Sequence, residues 1–185
     1  MNLNVVIFLE DFFCFCYINF MQIITLGDEL LRKKAERIND FNEEAETTAK
    51  KMIEILKRDK GVGLAGPQIG YMKRIFVTHV EGDAARVYIN PSILETSHET
   101  VKYEEGCLSI PGIYANVIRA SSIKIQAWNE KGRPFTLETS GLLARVIQHE
   151  YDHLEGVLFL DHVPEKKRSR LIEKFEKSRK PVREK

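Results

Sequence analysis

The run His149-Glu150-Tyr151-Asp152-His153 has the residue types and spacing best suited to chemistry in this chain. Two histidines four residues apart on a helix project from the same face, so both imidazoles can reach one metal ion. Glu150 follows the first histidine and is placed to take a proton from water that such an ion activates. The alternative is two exposed histidines on a charged helix, since matches of five residues also arise by chance.

The residues before this run predict that the histidines face the core. Leu142 and Val146 precede the two histidines at steps of three and four residues, which indicates one apolar stripe along a helix. Buried histidines need polar partners, and one metal ion would serve both. Ser140 is a suitable N-cap for this helix, and Gly156 is a suitable stop.

Cys107 is the main candidate for a third ligand, which a catalytic metal site normally has beside one position left open for water. It is the only cysteine beyond residue 16 and lies in segment 105–112, where two glycines and a proline predict an irregular loop. The alternative for this cysteine is a small buried hydrophobic residue.

A third segment, residues 61–70, has four glycines in ten residues. It lacks the Gly-Lys-Ser/Thr ending of a phosphate-binding loop, and no helical pattern follows it. The better interpretation is a backbone that approaches a ligand closely, with Gln68 presenting a polar side chain to the same site.

In this order, the three segments resemble the motifs of peptide deformylases: residues 61–68 the first motif, 105–112 the second and 148–156 the third. The resemblance extends over about residues 21–165. Two departures are visible: Gly66 stands where the family usually has alanine, and Tyr114 where some members carry an arginine near the substrate backbone.

The resemblance implies a metal-dependent hydrolase of protein biosynthesis, which removes the formyl group from the N-terminal formyl-methionine of nascent polypeptides and releases formate. The metal ligands that it implies are Cys107, His149 and His153. Glu150 would accept the proton of the attacking water and pass it to the departing amine. The metal, the Gln68 side-chain amide and the Leu108 backbone N–H would stabilise the charge on the carbonyl oxygen.

The resemblance also implies Fe(II) as the ion, although zinc occupies such sites readily, and a thiolate with two imidazoles suits either ion. For the substrate, it implies an apolar methionine pocket at Val62, Leu142 and Val146. It further implies backbone hydrogen bonds to the peptide at Gly63 and Leu64. The alternative for the three apolar residues is packing in the core.

Two rival functions use the same residues. The H-E-x-x-H run also occurs in many metalloproteases, and a cysteine as third ligand argues against that function. The other rival is a zinc-stabilised binding module. A structural zinc site usually has four protein ligands, however, and only three are evident here.

Length, charge and cysteine count set further bounds. The chain of 185 residues suits one domain with a substantial core, and its net charge of +1 gives the whole molecule no strong electrostatic preference. Three cysteines provide no disulfide framework, which fits a reducing cytoplasm. Residues 1–20 contain no Lys or Arg and are split by Glu10-Asp11, so neither a signal peptide nor a membrane span is expected. We expect the natural start at Met21, with residues 1–20 a non-native or misassigned extension.

The coarse pattern of elements is mixed. Asp40 and Glu43 predict a capping box that opens a helix, and Gly61 ends that helix. Residue types at alternating spacing predict strands at 74–80, 86–90, 122–128 and 135–138. Strands in runs around one central helix indicate an α+β fold. The resemblance implies the peptide-deformylase fold of that class, with antiparallel strands around a central metal-binding helix, in a catalytic domain of residues 21–163.

Residues 164–185 form a basic segment with ten Lys or Arg and four Glu, a net +6 that leaves −5 for the rest of the chain. Pro164 suits a helix start, and Leu171, Ile172 and Phe175 predict one narrow apolar stripe. The simpler interpretation is a C-terminal helix that this stripe pins to the domain, with a solvated basic face. The alternative is docking on ribosomal RNA, because the resemblance implies that some relatives bind ribosomes through a C-terminal helix.

Overall fold

The computed structural model describes residues 22–179. Its helices are α1 (Glu43–Arg58), α2 (Gly141–Leu154) and α3 (Glu165–Arg179). Its strands are β1 (Gly63–Ala65), β2 (Ile75–Thr78), β3 (Arg86–Thr96), β4 (Thr100–Gly106), β5 (Tyr114–Ala120), β6 (Ser122–Trp128) and β7 (Pro134–Ser140). Short 3-10 helices span Glu29–Arg32, Gly66–Ile69 and Phe159–His162. The expected extension at residues 1–20, the expected start at Met21 and the tail at 180–185 lie outside the described residues.

The strands form two sheets with a helix between them. Five antiparallel strands have the order β1-β2-β3-β6-β7, while β4 and β5 form an antiparallel hairpin of their own. One face of α2 packs on the larger sheet through Ala144, Ile147 and Leu154, which join Phe76 and Tyr88 in one apolar cluster. Another face of α2 contacts the hairpin. This arrangement confirms the predicted α+β fold with a central helix.

The four predicted strands are present as β2, β3, β6 and β7, and β3 continues further than predicted, to Thr96. The sequence patterns do not predict β1, β4 and β5. Residues of all three strands line the cleft described below. Strand β1 is at the edge of the larger sheet, and the β4-β5 hairpin covers the side of α2 that faces away from that sheet.

The first helix begins with a different cap from the one predicted. The side chain of Asn42 accepts a hydrogen bond from the backbone N–H of Ala45 at 3.2 Å, so Asn42 is the N-cap. The capping box predicted at Asp40 is therefore wrong. Glu43 is already the first helical residue and cannot serve as the third residue of a box that starts at Asp40.

The end of α1 depends on two consecutive residues. The helix ends at Arg58, and Lys60 adopts the left-handed backbone conformation with a φ of 54°. Gly61 contributes differently: a Cβ at this position would lie 2.7 Å from the Leu56 side chain and 2.8 Å from the Leu108 side chain, so both leucines would have to shift. The helix and the segment beyond Cys107 can therefore approach each other closely here.

The C-terminal helix α3 is attached through the predicted apolar stripe. Phe175 is 1% exposed and packs in a cluster with Ile110 and Val163, while Leu171 and Ile172 are partly buried against the same cluster. Within residues 22–179, no helix combines the length and the apolar content that a membrane span requires.

Candidate metal centre and catalytic cleft

The fold brings together the three ligands predicted from sequence. The donor atoms of Cys107, His149 and His153 all lie within 4.8 Å of one another. The Cys107 sulfur is 3.3 Å from His153 Nε2, and the two imidazole rings lie edge to face with centroids 5.1 Å apart. Three ligand atoms bound to one ion would be about 3.3–3.8 Å apart, so the cluster fits a divalent ion with little movement.

Local structure explains how the sulfur reaches the histidines. Strand β4 ends at Gly106, and the Ile110 N–H donates to the Cys107 carbonyl at 2.9 Å, which closes a turn directly after the strand. Cys107 is partly buried in this turn, and the irregular loop predicted for it is confirmed. Both histidines are buried and lie one turn apart on α2, which faces the turn.

A buried carboxylate orients the first histidine. Glu105 Oε2 is 2.9 Å from His149 Nδ1, and because an ionised carboxylate can only accept, Nδ1 carries the hydrogen and Nε2 is free to bind an ion. Glu105 also accepts hydrogen bonds from Arg119 at 2.7 and 3.0 Å and from Arg145 at 2.6 Å. Arg119 donates in addition to Asp152 at 2.8 Å. Sequence reasoning did not single out these four supporting residues.

The electrostatics of the centre favour a cation. Burial lowers the pKa of His149, but hydrogen bonds with Cys107 and Glu105 outweigh burial and raise this pKa to about 10. Burial raises the pKa of Glu105, but hydrogen bonds with His149 and Arg119 hold it well below its usual value. Burial keeps the pKa of His153 well below its usual value, so this ligand is neutral. Positive charge between Cys107 and Glu105 is therefore stabilised, whether a proton or a metal ion carries it.

Glu150 lies beside the ligands without a fixed partner. It is 3% exposed, and its Oε2 has no hydrogen-bond partner among the residues that the structure describes. Burial raises its pKa to about 7, although the charges of His149 and Arg119 act in the opposite direction. Its other oxygen lies against Gly63, where any Cβ would collide with it. A buried carboxylate with a pKa near neutrality can both accept and release a proton.

The amide of Gln68 is held at both ends, and Gln68 is 1% exposed. Its Oε1 accepts from the Ala65 N–H at 2.7 Å, and its Nε2 donates to Ser109 Oγ at 3.2 Å and to Cys107 Sγ at 3.4 Å. One N–H of this amide therefore points toward Cys107 at the candidate metal centre. Leu108 borders the same cleft, and its backbone N–H has no hydrogen-bond acceptor within residues 22–179.

An open cleft of about 420 Å³ lies beside these groups, bordered by Val62, Gly63, Leu142 and Val146 among others. Val62 is 44% exposed and Leu142 is 52% exposed, while Val146 is buried in the wall. The prediction that Leu142 faces the core is wrong, because the first turn of α2 borders the cleft. Its predicted position at a pocket agrees with the structure.

The structure also places three further positions that the sequence analysis names. The side chain of Leu64 is fully buried in the core and does not border the cleft. At position 66, only glycine fits without a shift of the backbone, because a Cβ there would collide with the backbone oxygen of Tyr71. Tyr114 is 61% exposed at the edge of the cleft, and its ring lies against Gly106 on the neighbouring strand.

Water activated by an ion with an open position, next to a carboxylate that can carry its proton, is the chemistry of metal-dependent hydrolases. The fold and the site place the chain in that class. Comparison with known proteins narrows the class, since a model of the polypeptide deformylase family matches residues 20–169. The chain belongs to this family, whose members remove the formyl group from the N-terminal formyl-methionine of new polypeptides.

Individual relatives agree with this assignment. The chain is 53% identical over 136 residues to peptide deformylase 1 of Clostridium perfringens, a match that covers 73% of this chain and 92% of that protein. It is 45% identical over 161 residues to the peptide deformylase of Borreliella burgdorferi, covering 86% and 97%. The crystal structure of a Synechococcus elongatus peptide deformylase in complex with actinonin matches with a TM-score of 0.80 at 38% identity, covering 87% of this chain and 90% of that one.

Proposed function

We propose that the chain hydrolyses the formyl–nitrogen bond of formyl-methionyl peptides at this centre, with Cys107, His149 and His153 holding one divalent ion. The observation that carries the proposal is the convergence of their three donor atoms beside the buried carboxylate of Glu150. When bound, such an ion lowers the pKa of water and polarises a carbonyl group. The thiolate and the two imidazoles suit Fe(II) or zinc, and we propose Fe(II) as the working ion in the cytoplasm.

The residues around the ligands would each contribute one step. Glu150 would take the proton of the attacking water on its unpaired Oε2 and release it to the departing amine nitrogen. Gln68 Nε2 and the Leu108 N–H would donate to the carbonyl oxygen as negative charge develops there. Gln68 would give up its long hydrogen bond to Cys107 Sγ for this, while the bonds with Ala65 and Ser109 hold its amide plane in place.

The cleft would bind the first residues of the substrate. The methionine side chain would lie between Val62, Leu142 and Val146, which form the apolar part of the wall. The free edge of β1 would hydrogen-bond the extended peptide as an added strand at Gly63, whose backbone faces away from β2. The backbone hydrogen bond expected at Leu64 is wrong, because the Val62 carbonyl accepts from His79 N–H and the Leu64 backbone therefore faces β2 as well. The buried side chain of Leu64 would anchor that edge to the core.

A formate-release assay on formyl-Met-Ala tests the proposal, run anaerobically on protein loaded with Fe(II). The parent should release formate, whereas Glu150→Gln should retain its metal and lose about 10²–10⁴-fold in turnover, because the proton carrier is gone and the ligands are untouched. Equal turnover of parent and variant would refute the role of Glu150. Cleavage inside an unformylated peptide would instead favour the metalloprotease alternative.

We also propose that α3 contacts ribosomal RNA through a basic stripe, formed by Lys166, Arg170, Lys174 and Lys177. The four residues are exposed and recur at steps of three and four residues, on the side of the helix away from Phe175. Their charge stands out because the chain outside residues 164–185 carries −5. Contacts with phosphates would make such binding fall steeply with salt.

Neutralising the basic stripe tests this better than removing the helix, since truncation would also remove the buried Phe175. A variant with glutamine at all four positions should co-sediment less with ribosomes at low salt and keep its turnover of formyl-Met-Ala. The matched control carries glutamine at four exposed lysines outside α3: Lys33, Lys34, Lys57 and Lys131. If the stripe variant sediments with ribosomes as well as this control does, the docking proposal is wrong.

A further inference from the structure

The three proposed ligands come from two parts of the fold that share no strand ladder. Cys107 directly follows β4 of the hairpin, whereas both histidines lie on α2. The hairpin is not part of the five-stranded sheet on which α2 packs. The distance between the sulfur and the imidazoles therefore depends on the side chains that join the hairpin to the helix.

Arg145 makes the most extensive of these connections. It lies on α2, four residues before His149, and is 8% exposed. Its Nη1 donates to Glu105 Oε1 at 2.6 Å and to the Val117 carbonyl at 3.1 Å, and its Nη2 donates to the Val101 carbonyl at 2.5 Å. One guanidinium thus binds the backbone of both hairpin strands and the carboxylate that orients His149.

The planar geometry of the guanidinium matters for this arrangement. Arginine offers donors in a rigid fork, so three acceptors on two strands can be held at fixed relative positions. The guanidinium also lies 5.7 Å from the ring centroid of Tyr103, which keeps this exposed side chain over the same contact. Arg119 cannot substitute for this connection, because it starts from β5 and reaches the helix only at Asp152.

We infer that Arg145 is a positioning residue, which fixes the Cys107 turn against the helix that carries the two histidines. The inference rests on the proposed ligand set. Arg145 acts in two ways. Its hydrogen bonds to the backbone carbonyls set the distance between the hairpin and α2, and its hydrogen bond to Glu105 helps to set the orientation of the His149 ring. Loss of Arg145 therefore weakens metal binding even though no ligand atom is removed.

The test measures zinc affinity by competition with a chromophoric chelator, on the full chain. Arg145→Met should bind zinc about tenfold more weakly than the parent, the lower end of the range for partners outside the ligand shell. Arg145→Lys should bind with intermediate affinity, because lysine keeps a cation near Glu105 but cannot span both strands. Cobalt(II) gives a second readout, since the thiolate-to-cobalt absorption of Arg145→Met should be weaker than that of the parent.

Arg74→Met is the matched control. The Arg74 side chain is 13% exposed, pairs with Glu155 at 2.6 Å and lies over the ring of Tyr151. Within residues 22–179, it makes no hydrogen bond or ion pair with the hairpin. The Arg74→Met variant should have a lower melting temperature than the parent, as the Arg145 variants should, but its zinc affinity should be unchanged. If Arg145 had a purely structural role, Arg145→Met would resemble Arg74→Met: its melting temperature would fall and its zinc affinity would stay at the parental value.

The outcomes separate this inference from the proposed function. Parental zinc affinity and cobalt absorption in a folded Arg145→Met protein would overturn the inference and leave the ligand set intact. Failure of the parent to bind zinc, or to show thiolate absorption with cobalt, would overturn the ligand set itself. If Arg145→Met does not fold, Arg145→Lys decides: weaker binding than the parent supports the inference, and equal binding overturns it.

Discussion

Glu105→Gln is the substitution that tests most directly whether the buried network supports the metal centre. The side chain of Glu105 is 5% exposed, and the Arg119 and Arg145 side chains that face it are 4% and 9% exposed. Glutamine keeps the shape of glutamate but removes the negative charge. It also places an N–H donor against groups that can only donate, namely the two guanidinium groups and the His149 Nδ1–H.

The expected loss of stability follows from which partners remain. Removing one member of a buried ion pair typically costs about 3–5 kcal/mol, because a charge is left buried and unpaired. Arg119 keeps Asp152 as a partner, whereas Arg145 keeps, among the described residues, only the carbonyls of Val101 and Val117. We therefore expect the lower end, about 3 kcal/mol, which corresponds to a fall in melting temperature of about 6–12 °C for a chain of this size.

The assay is urea unfolding in the presence of a chelator, so that metal binding does not add to the stability of the folded state. Zinc affinity, measured separately, should fall about 10–100-fold, because the ring of His149 loses its fixed orientation. The control is Glu95→Gln, an exposed carboxylate 3.5 Å from Lys124, whose loss should cost no more than about 1 kcal/mol. If Glu105→Gln unfolds like this control and keeps the parental zinc affinity, the reasoning about the network is wrong.

Four further predictions concern the ligands, the ion and the two ends of the chain. Cys107→Ala should weaken zinc binding by more than about 10–100-fold, the range typical for loss of a residue that only hydrogen-bonds a ligand. Unchanged metal content after dialysis would mean that the third ligand lies elsewhere. Iron-loaded protein should lose activity in air while zinc-loaded protein stays stable, because Fe(II) and the Cys107 thiolate both oxidise. Activity that persists for days in air with iron bound would contradict this prediction. Phe175→Ala should lower the free energy of unfolding by about 3–5 kcal/mol, because it leaves a cavity among buried side chains. A loss below about 1 kcal/mol would mean that Phe175 does not anchor α3 to the domain. A chain that begins at Met21 should fold and release formate like the full chain, because the match to the deformylase family model starts only at residue 20. Failure to fold would show that residues 1–20 are structural.

That His149 and His153 lie together on one helix face could be predicted from the sequence, because the signal is local. A helix places residues four apart on one face whatever surrounds it, so the spacing of His149 and His153 needs no tertiary information. The supporting network has no such signal. Glu105, Arg119 and Arg145 are charged residues spread over 41 positions, and charged residues are usually exposed. Only the packing of the hairpin on α2 buries all three.

The hairpin could not be predicted for a related reason. Six of the seven β4 residues are exposed, and only Glu105 is buried, so this strand lacks the alternation of apolar and polar residues that marks a half-buried strand. Strand β5 does alternate, but its buried positions include Arg119 and its exposed positions include Ile118. Side-chain type therefore misrepresents which face of each strand is inside.

The incorrect prediction for Leu142 has a more general cause, because α2 has two partners. Ala144, Ile147 and Leu154 pack on the sheet, whereas Val146 and the histidines face the hairpin and the cleft. A helix buried on two sides shows apolar residues over much of its surface, and their periodicity cannot separate a face that packs on a sheet from one that lines a cleft. The distinction comes from the hairpin, which leaves the first turn of α2 uncovered at Leu142 and covers the next turn through Arg145. Leu142, which is exposed at the cleft, and Arg145, which binds the hairpin, are thus three positions apart on the same helix.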